Sequence, residues 1–245
     1  MNRFSWVVVL SQRSVRLVVV GPEGRINMGF ILRLARNFGV SDLCVADPQF
    51  SVDDPEVREF AARGAELLGS IMVKSSVEEC LSGVRLSICT TSIGGLESDV
   101  LRQSLPPHLL KYVLPKSGTV ALVFGRESVG LRREELEKCD LVSSLDTGTD
   151  YNILNLSHAV AIYLYEVFRE PLAELHGGGE CGDDVLKALR REMEELAVMV
   201  GEERGVRALK NLVFRANPRN PECGALYKLL KKVLFQLRRT SSQTL

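Results

Sequence analysis

The sequence predicts an α/β protein: a parallel sheet with helices on both faces, followed by a small all-helical domain. Three observations carry this. Over the first 170 residues, short β-branched runs alternate with segments of helical periodicity, the pattern of a parallel sheet covered on both sides. After Pro171 a glycine run at 177–179 interrupts the pattern, as a linker does. Beyond it only helical stripes remain. The boundaries so read are a main domain over 1–170, a linker over 171–182 and a helical extension over 183–245.

The elements follow in order. "VRLVVVG" (15–21) reads as a strand, and residues 1–14 as either an edge strand or an ordered tail. "NMGFILRLARNFG" (27–39) is a helix, with Met28, Ile31, Ala35 and Phe38 at helical spacing, Asn27 as a cap and Gly39 as a stop. "DLCVAD" is a strand, and "DPEVREFAARGAELLG" a helix with Pro55 near its start. "IMVKS" is a short strand. "SVEECLSG" is a short helix whose Ser76 and Glu79 suit a capping box. "RLSICTT", "TVALVFG" and "DLVSSL" are strands. "NLSHAVAIYLYEVFRE" (155–170) is a helix. Its apolar surface, Tyr163 and Val167 included, is broader than one domain face needs, which points to a two-fold dimer. In the extension, Leu186, Leu189, Met193, Leu196 and Val200 form one stripe. Leu226, Leu229, Leu230, Val233, Leu234 and Leu237 form another, with "NPRNP" (217–221) as a rigid turn between them.

Composition narrows the function. The chain has 245 residues, 45% apolar and 25% charged, as in ordinary globular proteins. Apolar runs such as "WVVVL" and "LVVV" are too short to span a bilayer, and "FSWVVVLSQ" lacks the long core of a signal peptide. A cytoplasmic protein away from membranes is expected. Six cysteines without a CxxC pair, and only three histidines, argue against a metal site. The cysteines read as reduced thiols, with a disulfide the alternative in a thermophile's protein. The net charge of zero hides a segregation: from Arg204 onward stand ten Lys or Arg against one acid, Glu222. That is the footprint of a polyanion partner, with a solvated helix face as the plain alternative.

Three places set polar residues at the carboxyl end of a predicted strand. In "GPEGRINMGFILRLARNFG", Arg33, Arg36 and Asn37 share a helical face; this is a plain surface face or a phosphate contact through Arg33. In "ICTTSIGG" (88–95), small hydroxyl residues and paired glycines suit a ligand's approach, or any loop. In "LVFGRESVGL" (122–131), a strand stops at Gly125 and charges follow. Either Gly125 and Gly130 shape a turn and the charges face water, or the strand end presents a ligand site. The continuation "LDTGTDYNILNLSHAV" brings Asn155 to a helix start, as a cap or as a donor to a ligand.

Together "NMGFILRLARNFG", "LVFGRESVGLRREELEKCD" and "YNILNLSHAVAIYLYE" resemble, in order and separation, the three motifs of the knotted methyltransferases of the SpoU–TrmD (SPOUT) superfamily, in the TrmH/TrmJ branch of RNA 2′-O-ribose methyltransferases. The resemblance covers residues 15 to 170. The tail with "RANPRNP" is similar to the carboxyl-terminal extension of the TrmJ group. The resemblance implies a trefoil knot near the carboxyl end of the catalytic domain, S-adenosyl-L-methionine held bent in the knot loops, and a homodimer with the site at the subunit interface. Asn27, Arg33, Glu127 and Asn155 fall on the family's catalytic positions. Thr91, Ser92, Gly125, Gly130, Leu145, Ile153, Leu154 and Asn155 fall on its cofactor positions. Two departures are Ile153, where serine is common, and Leu145-Asp146, where Ile-Pro is common. RNA contacts are expected from Arg33, Arg36 and Arg126, and from Arg215, Arg219, Lys228, Lys231 and Lys232 of the tail.

The implied reaction is methylation of a ribose 2′-hydroxyl in tRNA, at nucleotide 32 of the anticodon loop, on cytidine or any pyrimidine. Ribosomal RNA is the alternative substrate, and a non-catalytic RNA-binding protein the alternative class. Arg33 would serve the hydroxyl and an adjacent phosphate, as an electrostatic stabiliser or as a base, and Glu127 would orient Asn27 or Arg33. A chain ending near Glu170 would keep the knot, the dimer and the cofactor pocket and lose tRNA affinity; if helices 183–240 only cover an apolar patch, it would instead aggregate or unfold.

Overall fold

The computed structural model describes residues 12–92, 103–168, 181–216 and 218–241. The expectations for residues 1–11, for the end of the cofactor loop at 93–95 and for linker residues 171–180 lie outside the described residues. Six strands, β1 (Gln12–Val20), β2 (Asp42–Ala46), β3 (Met72–Lys74), β4 (Leu86–Thr91), β5 (Ser117–Phe124) and β6 (Leu141–Ser144), form one sheet in the order β3-β2-β1-β5-β4-β6. Every pairing is parallel. Residues 12–14 belong to β1 rather than to a tail.

Side chains alternate across a strand, so β1 feeds both layers. Leu17 and Val19 enter one apolar cluster, and Val18 and Val20 the other. The larger cluster is covered by α1 (Arg25–Asn37), α2 (Pro55–Ala61) and α5 (Leu156–Phe168), the smaller by α3 (Val77–Cys80) and α4 (Arg133–Glu137). Asp54 caps α2 and Ser76 caps α3. The helix expected after Pro55 stops early: Ala62 adopts a φ of 50°, and residues Ala62–Ser70 continue as a 3-10 helix. Tyr163 and Val167, expected on an outer surface, are buried in the chain's own core. The Tyr163 hydroxyl donates to Ser143 Oγ at 3.0 Å, and burial pushes its pKa above the ordinary tyrosine range. The exposed apolar side chains of α5 are instead Ile162, Tyr165 and Phe168.

The extension holds three helices, α6 (Asp183–Val200), α7 (Glu203–Ala216) and α8 (Asn220–Ser241). The sequence stripes missed α7. Gly201, left-handed at φ 67°, ends α6 and permits the reversal. Leu186, Leu189, Met193, Phe214 and Leu230 join the same apolar cluster as Leu86, Val113 and Leu114. A polar latch accompanies this packing. Asp140, just before β6, accepts from Ser87 N and Oγ at 2.9 and 2.8 Å, and pairs with Arg190 at 2.7 Å and Lys210 at 3.7 Å. Burial holds the Lys210 ammonium below its usual pKa, against the pull of Asp140. Arg207 donates to the carbonyls of Glu137 and Cys139 at the end of α4, at 3.1 and 2.8 Å.

The cysteines correct the thiol expectation. All six are paired, Cys44–Cys80, Cys89–Cys139 and Cys181–Cys223. The plain reading failed because the partners are 36, 50 and 42 residues apart, and only the fold brings them within bonding reach. Cys181–Cys223 ties the start of α6 to the start of α8 across 42 residues. Closing a loop of this size stabilises by about 3–4 kcal/mol in the chain-entropy account. Replacing both cysteines by serine is expected to lower the thermal midpoint by roughly 5–15 °C, given about 2–4 °C per kcal/mol in a chain this long. A calorimetric midpoint equal to that of the unsubstituted protein would refute the stapling role.

Candidate active site

β1 and β5 are neighbours, with Val19 beside Phe124. The connection after β1 leads to β2, and the connection after β5 leads past β4 to β6 on the other side. Such a switch point opens a crevice at the carboxyl ends of the strands. The loops 21–24 and 125–130 leave the sheet there side by side.

Loop 125–130 closes on itself. Arg126 N–H donates to Gly130 O at 3.2 Å, and Gly130 N–H to Arg126 O at 2.9 Å. A Cβ on Gly125 would stand 2.2 Å from the Gly130 carbonyl carbon, and Gly130 is left-handed at φ 68°. Turn geometry therefore explains both glycines without any ligand. Because the clash is with backbone, Gly125→Ala is expected to cost about 1–3 kcal/mol, read as a lower urea midpoint. An unchanged midpoint would mean that the loop has slack.

The charges after Gly125 divide. Arg126 does not reach outward as an RNA contact. Its guanidinium forks onto Glu135 at 3.1 and 3.0 Å, with the two side chains 9% and 15% exposed. Glu135 also accepts the Arg132 N–H at the start of α4. With two of its five donors on Glu135 and the side chain nearly buried, Arg126 is not set out toward an RNA strand, against the expectation.

Glu127 turns toward the neighbouring loop. Oε2 accepts the Glu23 N–H at 2.9 Å; Oε1 accepts the Gly24 N–H at 3.1 Å and Asn27 Nδ2 at 3.0 Å. These are donors at the start of α1, where a carboxylate is favoured. Asn27 is thus inside the first turn of α1 and is not its cap, a position Gly24 takes. Glu127 thus contacts Asn27; among the described residues it does not meet Arg33. An ionised carboxylate only accepts, so the Asn27 amide must present Nδ2 to it. Asn27 Oδ1 is then left to accept Asn155 Nδ2 at 2.9 Å. Asn155 Oδ1 in turn accepts the Ser157 N–H and Oγ–H at 2.9 and 2.7 Å, capping α5. Asn155 therefore caps α5 while its amide meets Asn27. The direction of the Glu127–Asn27–Asn155 chain is set by the charge at its end.

The remaining predicted residues lie around this chain. Thr91 and Ser92 end β4 and follow it, and Asn152 Nδ2 reaches Ser92 O at 3.4 Å, tying that strand end to the loop after β6. Leu145 follows β6, not ending it. Ile153 and Leu154 form no hydrogen bond among the described residues. Their backbone groups remain available, and Ile153 and Tyr151 are exposed apolar walls. This donor set and these walls suit a neutral adenosyl group. Sequence reasoning missed Glu23, Ser128 and Asn152; the only signal was a polar residue at a strand-end loop.

Arg33 is exposed and meets no partner among the described residues. It follows Ile26 and Phe30 on one stripe of α1 (i, i+4, i+7), and both of those are also exposed. Arg36 pairs with Glu66 at 3.4 Å. In the extension, Arg215 donates to Gln103 O, the Arg219 N–H donates to Glu222, and Lys231 pairs with Glu192. Lys228 and Lys232 are exposed and meet no partner among the described residues. With Phe235 and Arg239, whose guanidinium lies 5.8 Å from the Phe235 ring centroid, they form a basic and aromatic stripe at helical spacing. Among the described residues no group of three or more His, Cys, Asp or Glu could hold a metal ion, and no helix is long and apolar enough to cross a membrane.

A parallel sheet with a polar site at its switch point places the chain among the open-sheet α/β proteins. The chain belongs to the SpoU rRNA Methylase family, which matches residues 14–165. It is 32% identical to the tRNA (cytidine-2′-O-)-methyltransferase TrmJ of Sulfolobus acidocaldarius, over 94% of this chain and 98% of that one. It is 28% identical to the tRNA (cytidine/uridine-2′-O-)-methyltransferase TrmJ of Escherichia coli K12, over 90% of this chain and 95% of the relative. The crystal structure of TrmJ from Z. mobilis shares the fold, with a TM-score of 0.65 at 19% identity, over 89% of this chain and 98% of that one.

Proposed function

We infer that this protein transfers a methyl group from S-adenosyl-L-methionine to a ribose 2′-hydroxyl of tRNA, at nucleotide 32 of the anticodon loop, in the cytoplasm. The observation that carries the reading is the ordered Glu127–Asn27–Asn155 chain beside the backbone of Ile153 and Leu154, which meets no hydrogen-bond partner among the described residues. The likeness to tRNA 2′-O-methyltransferases along nearly the whole chain supports the choice of tRNA. The cofactor would lie against Thr91, Ser92, Leu145, Ile153 and Leu154, within a trefoil-knotted arrangement of these loops. When bound, it supplies a methyl already activated on a sulfonium, so the protein's task is the hydroxyl. Arg33 stabilises the charge developing on the 2′-oxygen, an electrostatic role that suits a guanidinium better than proton removal does. Asn27 and Asn155 keep one amide N–H each for the ligand.

Two copies complete the site. Arg33 is six residues beyond Asn27, roughly 9 Å along α1 and on another face, so it does not serve the Asn27 of its own chain. Its stripe carries exposed Ile26 and Phe30, and α5 adds Ile162, Tyr165 and Phe168. A closed two-fold interface is the common way to cover such a surface, and it would carry Arg33 to the partner's site. The stripe Lys228, Lys232, Phe235 and Arg239 suits the phosphates and bases of RNA.

The test is mass spectrometry of nucleosides from unmodified tRNA and from rRNA, each incubated with protein and S-adenosyl-L-methionine. 2′-O-methylpyrimidine in tRNA, mapped to nucleotide 32, is expected. Modified rRNA beside unmodified tRNA would reverse the substrate, and no product in either would leave RNA binding without catalysis.

A further inference from the structure

The two loops at the switch point are joined by a reciprocal exchange that the three sequence motifs do not contain. Glu127 reaches across to the Glu23 and Gly24 N–H groups. Glu23 reaches back: Oε2 accepts the Ser128 N–H at 3.0 Å, and Oε1 accepts the Ser128 Oγ–H at 2.7 Å. Each carboxylate thus binds the residue beside the other, and Ser128 directly follows Glu127. The loop that holds Ser128 does not need this contact to keep its shape. It is closed by the Arg126–Gly130 pair of backbone bonds and anchored by the Arg126–Glu135 fork. What the Glu23–Ser128 contact adds is the spacing between the two loops, and that spacing sets where Glu127 meets Asn27.

We propose that Glu23 is a positioning residue of the methyl-transfer reaction, whose carboxylate, by holding Ser128, fixes Glu127 against the start of α1 and so aims the Asn27–Asn155 pair. The proposal rests on the function inferred above. Alanine at 23 leaves the Ser128 donors to water and removes one of the ties that hold loop 125–130 against loop 21–24. A drift of an ångström at a catalytic group costs up to about a hundredfold in rate. Glutamine preserves the clasp, because its carbonyl accepts from Ser128 N–H while its amide can donate to Ser128 Oγ.

The experiment compares wild type, Glu23→Ala, Glu23→Gln and Ser128→Ala by steady-state methylation of tRNA and by amide hydrogen exchange at Gly24, whose N–H Glu127 holds. Expected for Glu23→Ala is a fall in kcat of about ten- to a hundredfold, with KM for tRNA within about threefold of wild type. Gly24 exchange should quicken about tenfold. Glu23→Gln should recover most of both, and Ser128→Ala should lose part of each. Glu23→Ala with wild-type kcat and wild-type Gly24 exchange overturns the proposal. So does a loss that glutamine fails to rescue, which would make the charge and not the clasp the cause. If Glu23→Ala does not fold, Ser128→Ala decides by the same two readouts. If wild type methylates no tRNA, the inferred function fails by itself, and exchange at Gly24 alone decides whether the clasp exists.

Discussion

Arg33→Ala is expected to reduce methyl transfer to tRNA by about a hundred- to a thousandfold, the loss seen when one donor to a developing oxyanion is removed. Binding of S-adenosyl-L-methionine and the far-ultraviolet circular dichroism should stay as in wild type. The physical basis is the position of the side chain. Arg33 is exposed and meets no partner among the described residues, so the fold loses little when it is cut back. Lysine should not restore the rate, because a point charge lacks the planar fork that can serve a hydroxyl and a phosphate together. Mixing Arg33→Ala with Asn27→Ala protein should recover activity if the site is shared by two copies, since a mixed dimer keeps one intact pairing. Wild-type turnover by Arg33→Ala would remove the residue from the mechanism. Mixed proteins no more active than their parents would argue for a site within one chain.

Asp140→Ala is expected to destabilise the protein by about 3–5 kcal/mol, the cost of removing one side of a buried ion pair. Asp140 is 4% exposed at its side chain and faces Arg190 and Lys210. Without it, both cations stay enclosed and the Ser87 N–H loses its acceptor. The pH dependence has a definite sign. Burial already lowers the Lys210 pKa below 10.5 while Asp140 opposes the shift, so its loss lowers it further. Between its folded pKa and 10.5, the unfolded chain binds more protons than the folded one, and stability rises with pH. The deficit of Asp140→Ala relative to wild type should therefore shrink between pH 7 and pH 10, as measured by urea unfolding at each pH. A deficit under about 1 kcal/mol, the scale of an exposed pair, would show that the latch is wet. For a chain ending near Glu170 the same packing favours the second of the two expected outcomes. Its removal of α6, α7 and α8 would uncover Leu86, Val113 and Leu114 and leave Asp140 and Arg85 without partners in the extension. Such a chain should aggregate or unfold rather than persist as a cofactor-binding core.

The sequence by itself determined the alternation of strands and helices, because a strand buried on both faces must be apolar throughout and a covering helix must repeat near 3.6. At the strand ends it marked Asn27, Glu127 and Asn155, each at the border of an apolar run, as candidates beside a plain turn or cap reading, and the family resemblance singled them out. Their joining left no local mark, and a Glu127–Asn27 contact was expected only through the family resemblance. Asn27 lies 100 residues from Glu127 and 128 from Asn155, and only the adjacency of β1 to β5 brings them together. For the same reason the clasp of Glu23 with Ser128 left no local mark. Charge was read least well. Arg126, Arg207 and Lys210 look in sequence like Lys228 and Lys232, which are exposed, yet the fold turns them inward to Glu135, to the end of α4 and to Asp140. A basic side chain carries no periodic signal of its own, so whether it meets phosphate or carboxylate is decided by which surface packs over it. The cysteines follow the same rule, since pairing depends on distance in space and their spacing in the chain says nothing of it.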